Sequence, residues 1–211
     1  MRAALRRLAA GALREIVFAA TRFLVGGHAD WRGCGPDQRQ RVYFANHASH
    51  LDTVLLWAAL PPTLRRTTHA VAAADYWGRN AFTRFVARDV LNAVLVERER
   101  SRDPLAPLRK VLESGESLII FPEGTRGNAA LPGPFKPGLY HLVRDFPAAE
   151  PVPAYLANLA RAFPKGAYLP APIMCIASFG APLRMDEGES KPDYLARAHR
   201  AVCALAPESI K

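Results

Sequence analysis

Arg41-Val-Tyr-Phe-Ala-Asn-His47-Ala-Ser-His-Leu-Asp52 is the stretch from which the fold is read. Its first five residues form a β-rich run. A polar handover follows, and then a predicted helix from about His50 to Leu60, ended by Pro61-Pro62. Working outward, Thr68 to Ala74 gives the next strand. A second round repeats the order: Asn92 to Glu97 as strand, Asp103 to Ser114 as helix with Gly115 at its stop, and Ser117 to Phe121 as strand. Strands alternating with helices predict an α/β fold, with a mostly parallel central sheet flanked by helices and right-handed crossovers. Pro151 to Leu156 and Ile173 to Phe179 supply later strands, and Pro192 to Leu205 a closing helix. No internal repeat interrupts this order.

A chain of 211 residues suits one core, and 50% hydrophobic content with 22% charge fits a globular body. The net charge of +9 favours an anionic partner: nucleic acid, an anionic membrane surface or a phosphorylated substrate. Aromatic content is 9% and no nucleic-acid motif is present, so nucleic acid is not expected. Cys34, Cys175 and Cys203 are far apart and odd in number, which points to neither a disulfide framework nor a paired zinc site. Cys175, inside an apolar run, reads as a small core residue.

Ala3 to Val25 reads as a helix stopped by Gly26-Gly27. Leu5, Ala9, Ala12, Ile16 and Phe23 share one face, and Arg7, Arg14 and Arg22 the opposite one, with Phe18 out of place among the arginines. Such a helix lies in a membrane interface with its arginines on anionic headgroups, or else packs on the domain with its arginines solvated. No cleavable leader is expected. The longest uncharged run, residues 166–183, is broken by Pro170, Pro172 and Pro182 and cannot span a bilayer as one helix. Residues 1–30 are therefore expected to form a membrane-associating helix and 31–211 the functional body, attached peripherally or monotopically to the cytoplasmic face of the membrane.

Two segments carry chemistry. In the first, His47 and Asp52 stand where a strand hands over to a helix, the end of an open α/β sheet at which ligands gather. On one continuous helix a spacing of five turns two side chains apart, but a turn at His47 lets Asp52, on the first helical turn, face back. An imidazole held by a carboxylate can then accept a hydroxyl proton. Other readings stay open. Ser49 and Asp52 have the spacing of a capping box. His47, His50 and Asp52 form a possible metal site, and Ser49 beside His47 a possible serine nucleophile. The second segment is Phe121-Pro-Glu-Gly-Thr-Arg-Gly127, leaving another strand end. Gly124 and Gly127 allow close backbone approach, Thr125 offers a hydroxyl, and Arg126 has a planar fork suited to phosphate.

Together and in this order, the His-x-x-x-x-Asp and Phe-Pro-Glu-Gly-Thr-Arg segments resemble the glycerophospholipid acyltransferase family, most of all the 1-acyl-sn-glycerol-3-phosphate acyltransferases. Val94-Leu-Val-Glu-Arg98 is similar to the family's intermediate block, with Glu97 where Asp is usual and Asn92 where Gly is usual. Phe135-Lys-Pro-Gly138 resembles the segment after the glycine-containing motif, and Val152-Pro-Ala-Tyr155 the later proline block. The resemblance spans about Arg41 to Leu183. It implies His47 as general base and Asp52 as its partner. It also implies that Arg98, Glu123, Gly124, Thr125 and Arg126, with Lys136 nearby, bind the acyl acceptor. The expected donor is acyl-CoA or acyl carrier protein, the acceptor a lysophospholipid, first of all lysophosphatidate at its sn-2 hydroxyl. No metal or organic cofactor is expected. The alternatives are another lysolipid acceptor, a membrane-binding module without catalysis, and a metal-dependent hydrolase.

Overall fold

The computed structural model describes residues 2–49, 51–97, 102–127, 129–158, 171, 173–208 and 210. Its centre is a seven-stranded sheet in the order β1-β7-β6-β2-β5-β3-β4. The strands are β1 (His28–Trp31), β2 (Arg41–Ala45), β3 (Thr68–Ala73), β4 (Val94–Val96), β5 (Ser117–Ile120), β6 (Glu150–Ala157) and β7 (Ile176–Phe179). Every neighbouring pair is parallel except β6 with β7, so β1 and β7 run against the other five. The expected α/β architecture is present. β1 was not foreseen; of the residues between β6 and β7 outside the description, 159–170 and 172, six (166–170 and 172) belong to the longest uncharged run.

The helices are α1 (Arg2–Val25), α2 (Asp52–Ala59), α3 (Pro62–Arg66), α4 (Ala74–Trp77), α5 (Ala81–Phe85), α6 (Ala106–Glu113), α7 (Gly138–Asp145) and α8 (Lys191–Ala204); a π-helical turn, Val86–Val90, continues α5. Covering both faces makes β2 a continuously buried strand. Its alternate residues serve two cores. Tyr43 and Ala45 join Ile119, Val152 and Ala154 beneath α1 and α2. Val42 and Phe44 join Leu118, Ile120 and Tyr155 beneath α6, α7 and α8. Period-two alternation in a strand produces this division.

Asn92, which stands before β4 where the resembled family has glycine, takes a φ of 44°. The left-handed region tolerates Asn better than other side chains, so the substitution preserves the turn.

α1 lies on the body inside out relative to a soluble amphipathic helix. Phe18, the residue out of place among the arginines, is buried at 3% exposure and meets Trp57 of α2 edge-on. The Arg14 guanidinium donates to the carbonyls of Asp89 and Val90, each at 2.8 Å, and Arg22 donates to the carbonyl of Ala58 at 3.0 Å. Those carbonyls close the π-helical turn and α2, where orphan acceptors and the negative dipole end favour a cation. The predicted apolar stripe therefore faces away from the body: Leu5 is 69% exposed, Ile16 64% and Phe23 89%, with Leu8 beside them at 72%. Arg14 and Arg22 bind the protein rather than standing free for headgroups. The side chain of Arg7 lies outside the described residues.

Candidate active site

Strand order brings the two motifs together. β2 and β5 are neighbours with Phe44 opposite Ile120, so the residues leaving their carboxyl ends emerge side by side. β3 and β4 continue along the same edge. Segments about 75 residues apart thus meet at one end of the sheet.

The His47 ring donates from Nδ1 to Oδ2 of Asp52 at 2.7 Å. A carboxylate only accepts in this pairing, so Nδ1 carries a hydrogen, and in the neutral ring that tautomer puts the lone pair on Nε2. The same Oδ2 accepts the N–H groups of Ala48 at 2.6 Å and Ser49 at 2.8 Å. The other oxygen of Asp52 is buried with no hydrogen-bond partner among the described residues. Asp52 is 1% exposed, so water does not compete for this arrangement.

Only half of the expected capping box forms. The Asp52 carboxylate returns to the Ser49 N–H, but the Asp52 N–H goes to the Ser49 carbonyl at 3.3 Å. The Ser49 hydroxyl accepts from Leu51 N–H at 3.2 Å, and Leu51 occupies the helix cap. Ser49 makes no hydrogen bond with His47 among the described residues. His50 lies outside the described residues; among those described, no group of three His, Cys, Asp or Glu is placed to hold a metal ion.

The second motif wraps the first. Glu123 is buried, accepting the His47 backbone N–H on Oε1 at 2.7 Å and the Gly133 N–H on Oε2 at 2.9 Å. The Gly127 N–H returns to the His47 carbonyl at 2.8 Å. The Glu123 carboxylate, expected at the acceptor, is thus engaged by two backbone donors of the site's own loops. Gly124 has a φ of 72°, and a Cβ there would come within 2.8 Å of the Lys136 side chain, which crosses it. The positive φ favours glycine here, while the flexible Lys136 chain could shift to admit a Cβ.

His47, Gly124, Thr125, Arg126 and Lys136 border one cavity of about 610 Å³. Its far walls are apolar, with Val71, Val96, Leu105, Leu108, Leu139 and Leu142 among them. Thr125, Arg126 and Lys136 are exposed at this border, and neither cation forms an ion pair with a described residue. Arg98 lies outside the described residues, and Glu97 is exposed at the end of β4. Sequence reasoning did not anticipate the wall between β3 and β4, where Asp75, Tyr76, Trp77, Ala87 and Leu91 border the cavity. Nor did it give Phe121 a role; its ring stacks on His47 with centroids 4.3 Å apart. A strand-end aromatic beside a candidate base was the available signal.

Cys175 is fully buried, and burial, reinforced by the charge of Asp52, pushes its thiol up to about 11. It is a packing residue with little thiolate for chemistry.

The fold is of the α/β class, with the two motifs at one end of a mostly parallel sheet. Residues 34–157, more than half of the chain, match the model of the Acyltransferase family, and the chain belongs to that family. It is similar to a 1-acyl-sn-glycerol-3-phosphate acyltransferase of Limnanthes douglasii, 24% identical over 203 residues that cover 89% of this chain and 69% of that one. The enzyme of the same name from Cocos nucifera is 24% identical over 195 residues, covering 90% and 61%. The chain thus spans between three fifths and seven tenths of these plant relatives. The crystal structure of the 1-acyl-sn-glycerophosphate (LPA) acyltransferase PlsC from Thermotoga maritima matches its fold with a TM-score of 0.71 and 18% identity, over 97% of this chain and 81% of that one.

Proposed function

We propose that this acyltransferase moves a fatty acyl chain from a thioester, acyl-CoA or acyl carrier protein, to the sn-2 hydroxyl of lysophosphatidate, giving phosphatidate. The observation that carries the reading is the His47–Asp52 pair at the border of an apolar cavity that also meets two cations, Arg126 and Lys136, that form no ion pair with a described residue. The names of the plant relatives support the same acceptor.

His47 acts as general base. Nε2 takes the hydroxyl proton while the oxygen attacks the thioester carbonyl carbon. The resulting tetrahedral intermediate expels the thiolate, which takes the proton back from the imidazolium. Asp52 fixes the tautomer and balances the charge on the ring. The thioester is already activated, so no acyl-enzyme is required. Arg126 and Lys136, with Arg98, bind the acceptor phosphate; Gly124 and Thr125 shape that end, and Glu123 contributes by fixing the loop that carries the base. The apolar walls take the acyl chain.

The exposed apolar face of α1 supports docking on a lipid surface as an interfacial helix. No helix among the described residues is long and apolar enough to cross a membrane. Both thioester donors are cytoplasmic, which puts the docked face on the cytoplasmic leaflet.

The test is an assay of detergent-solubilised protein with a panel of acyl thioesters. Lysophosphatidate is compared with lysophosphatidylcholine and with monoacylglycerol, which lacks the phosphate. Preference for lysophosphatidate supports the reading. Equal use of an acceptor without a free phosphate overturns the acceptor assignment, and no transfer to any acceptor overturns the activity.

A further inference from the structure

The Phe121 ring lies flat against the His47 imidazole, with centroids 4.3 Å apart and planes 17° from parallel. Neighbouring strands deliver the two rings: Phe121 is the first residue after β5 and His47 the second after β2. Both border the cavity. Asp52 engages the edge of the imidazole at Nδ1, and Phe121 engages its face.

We propose that Phe121 is a positioning residue whose π-face stabilises the imidazolium formed when His47 takes the acceptor's proton. The proposal rests on His47 being the base. An aromatic ring carries negative charge over its face, and a cation within about 6 Å of the centroid is attracted to it. A neutral imidazole gains little from that field, and an imidazolium gains more. The contact therefore strengthens as the proton moves from the acceptor oxygen to Nε2, which lowers the barrier instead of tightening substrate binding alone. Asp52 acts on the same charge in the ring plane, so the developing cation is held between a carboxylate at its edge and a π-system on its face. The stack also limits rotation of the imidazole out of line with Asp52.

The experiment replaces Phe121, in the full chain, by 4-fluoro-, 3,5-difluoro- and 3,4,5-trifluorophenylalanine. Ring size barely changes while the negative face is progressively depleted. The expected result is a stepwise fall in kcat, about two- to thirtyfold in all, with the KM for lysophosphatidate and the thermal midpoint held. Phe121→Trp should retain kcat and Phe121→Leu should lose at least as much as the trifluoro variant. A flat kcat across the fluorinated series overturns the proposal even if Phe121→Leu is impaired, because ring volume then explains the contact. A change confined to KM overturns it as well. His47→Ala reads the base assignment separately: near-normal kcat there removes the base and this proposal with it, whereas an inactive His47→Ala beside a flat series removes only the role of Phe121.

Discussion

The backbone N–H of His47 donates to Oε1 of Glu123 across 2.7 Å, although 76 residues separate them. The other oxygen of Glu123 holds the Gly133 N–H, so one buried carboxylate joins the loop that carries His47 to the loop that leads to Lys136. Glu123→Gln keeps one acceptor and turns an N–H₂ group toward a backbone donor. Breaking a charged hydrogen bond of this kind costs about 1.5–3 kcal/mol. We expect a lower thermal midpoint and a kcat reduced at least about tenfold, with the acceptor KM little changed. A variant defective chiefly in KM returns Glu123 to the acceptor site.

His47→Ala should abolish turnover in a folded protein, a loss of about 10² to 10⁴ from removal of a positioned base. Asp52→Asn should be nearly as severe. Its amide nitrogen, facing Nδ1 and the N–H groups of Ala48 and Ser49, would set donor against donor. Steady-state kinetics with circular dichroism checks both. Radiolabelled thioester without acceptor should leave no label on the protein, and a covalent adduct would replace direct transfer by a two-step scheme.

Arg126→Ala should raise the KM for lysophosphatidate about tenfold or more, as expected for loss of a charge-assisted contact. Arg126→Lys keeps the charge, loses the planar fork and should fall between the two. Lys136→Ala, which removes a side chain lying across Gly124, should raise the same KM by a smaller factor. Unchanged KM in both alanine variants would leave the acceptor phosphate without either partner.

The sheet was legible because its strands are compact apolar runs closed by turns. β2 and β5 are buried on both faces, and no polar alternation masks them. The His47–Asp52 relation was legible too, because a turn before the helix is the local solution that lets a spacing of five face inward. β1 was missed because His28–Trp31 is a four-residue strand at the sheet edge with a partly exposed pattern. α4 and the π-helical turn are too short to show a helical period, yet they contribute Asp75, Tyr76, Trp77 and Ala87 to one wall of the cavity, and α5, equally short, leads into that turn. α7 begins at Gly138, which reads as a turn. For α1, the sequence separated an apolar from a basic face, but both expectations left the arginines to headgroups or solvent, whereas Arg14 and Arg22 meet the body. That contact depends on acceptors contributed by Ala58, Asp89 and Val90, far away in sequence.

The orientation of α1 decides which of its side chains are available to a lipid surface. If free arginines held it to headgroups, each would contribute about 1 kcal/mol and salt would release it. Arg14 and Arg22 instead tie α1 to helix ends of the body, while Leu8, Ile16 and Phe23 point outward. Replacing those three apolar residues with Gln should weaken sedimentation with phospholipid vesicles about tenfold or more, since burying each such side chain contributes up to about 1.5–3 kcal/mol. The effect should persist at high salt. The pair Arg14→Gln and Arg22→Gln should act differently: α1 loosens from α2 and the π-helical turn, protease cuts faster near Gly26-Gly27, and the thermal midpoint falls, while vesicle binding is largely kept. If the apolar triple variant sediments as the parent does and the arginine pair does not, headgroup electrostatics rather than the outward apolar face is the anchor.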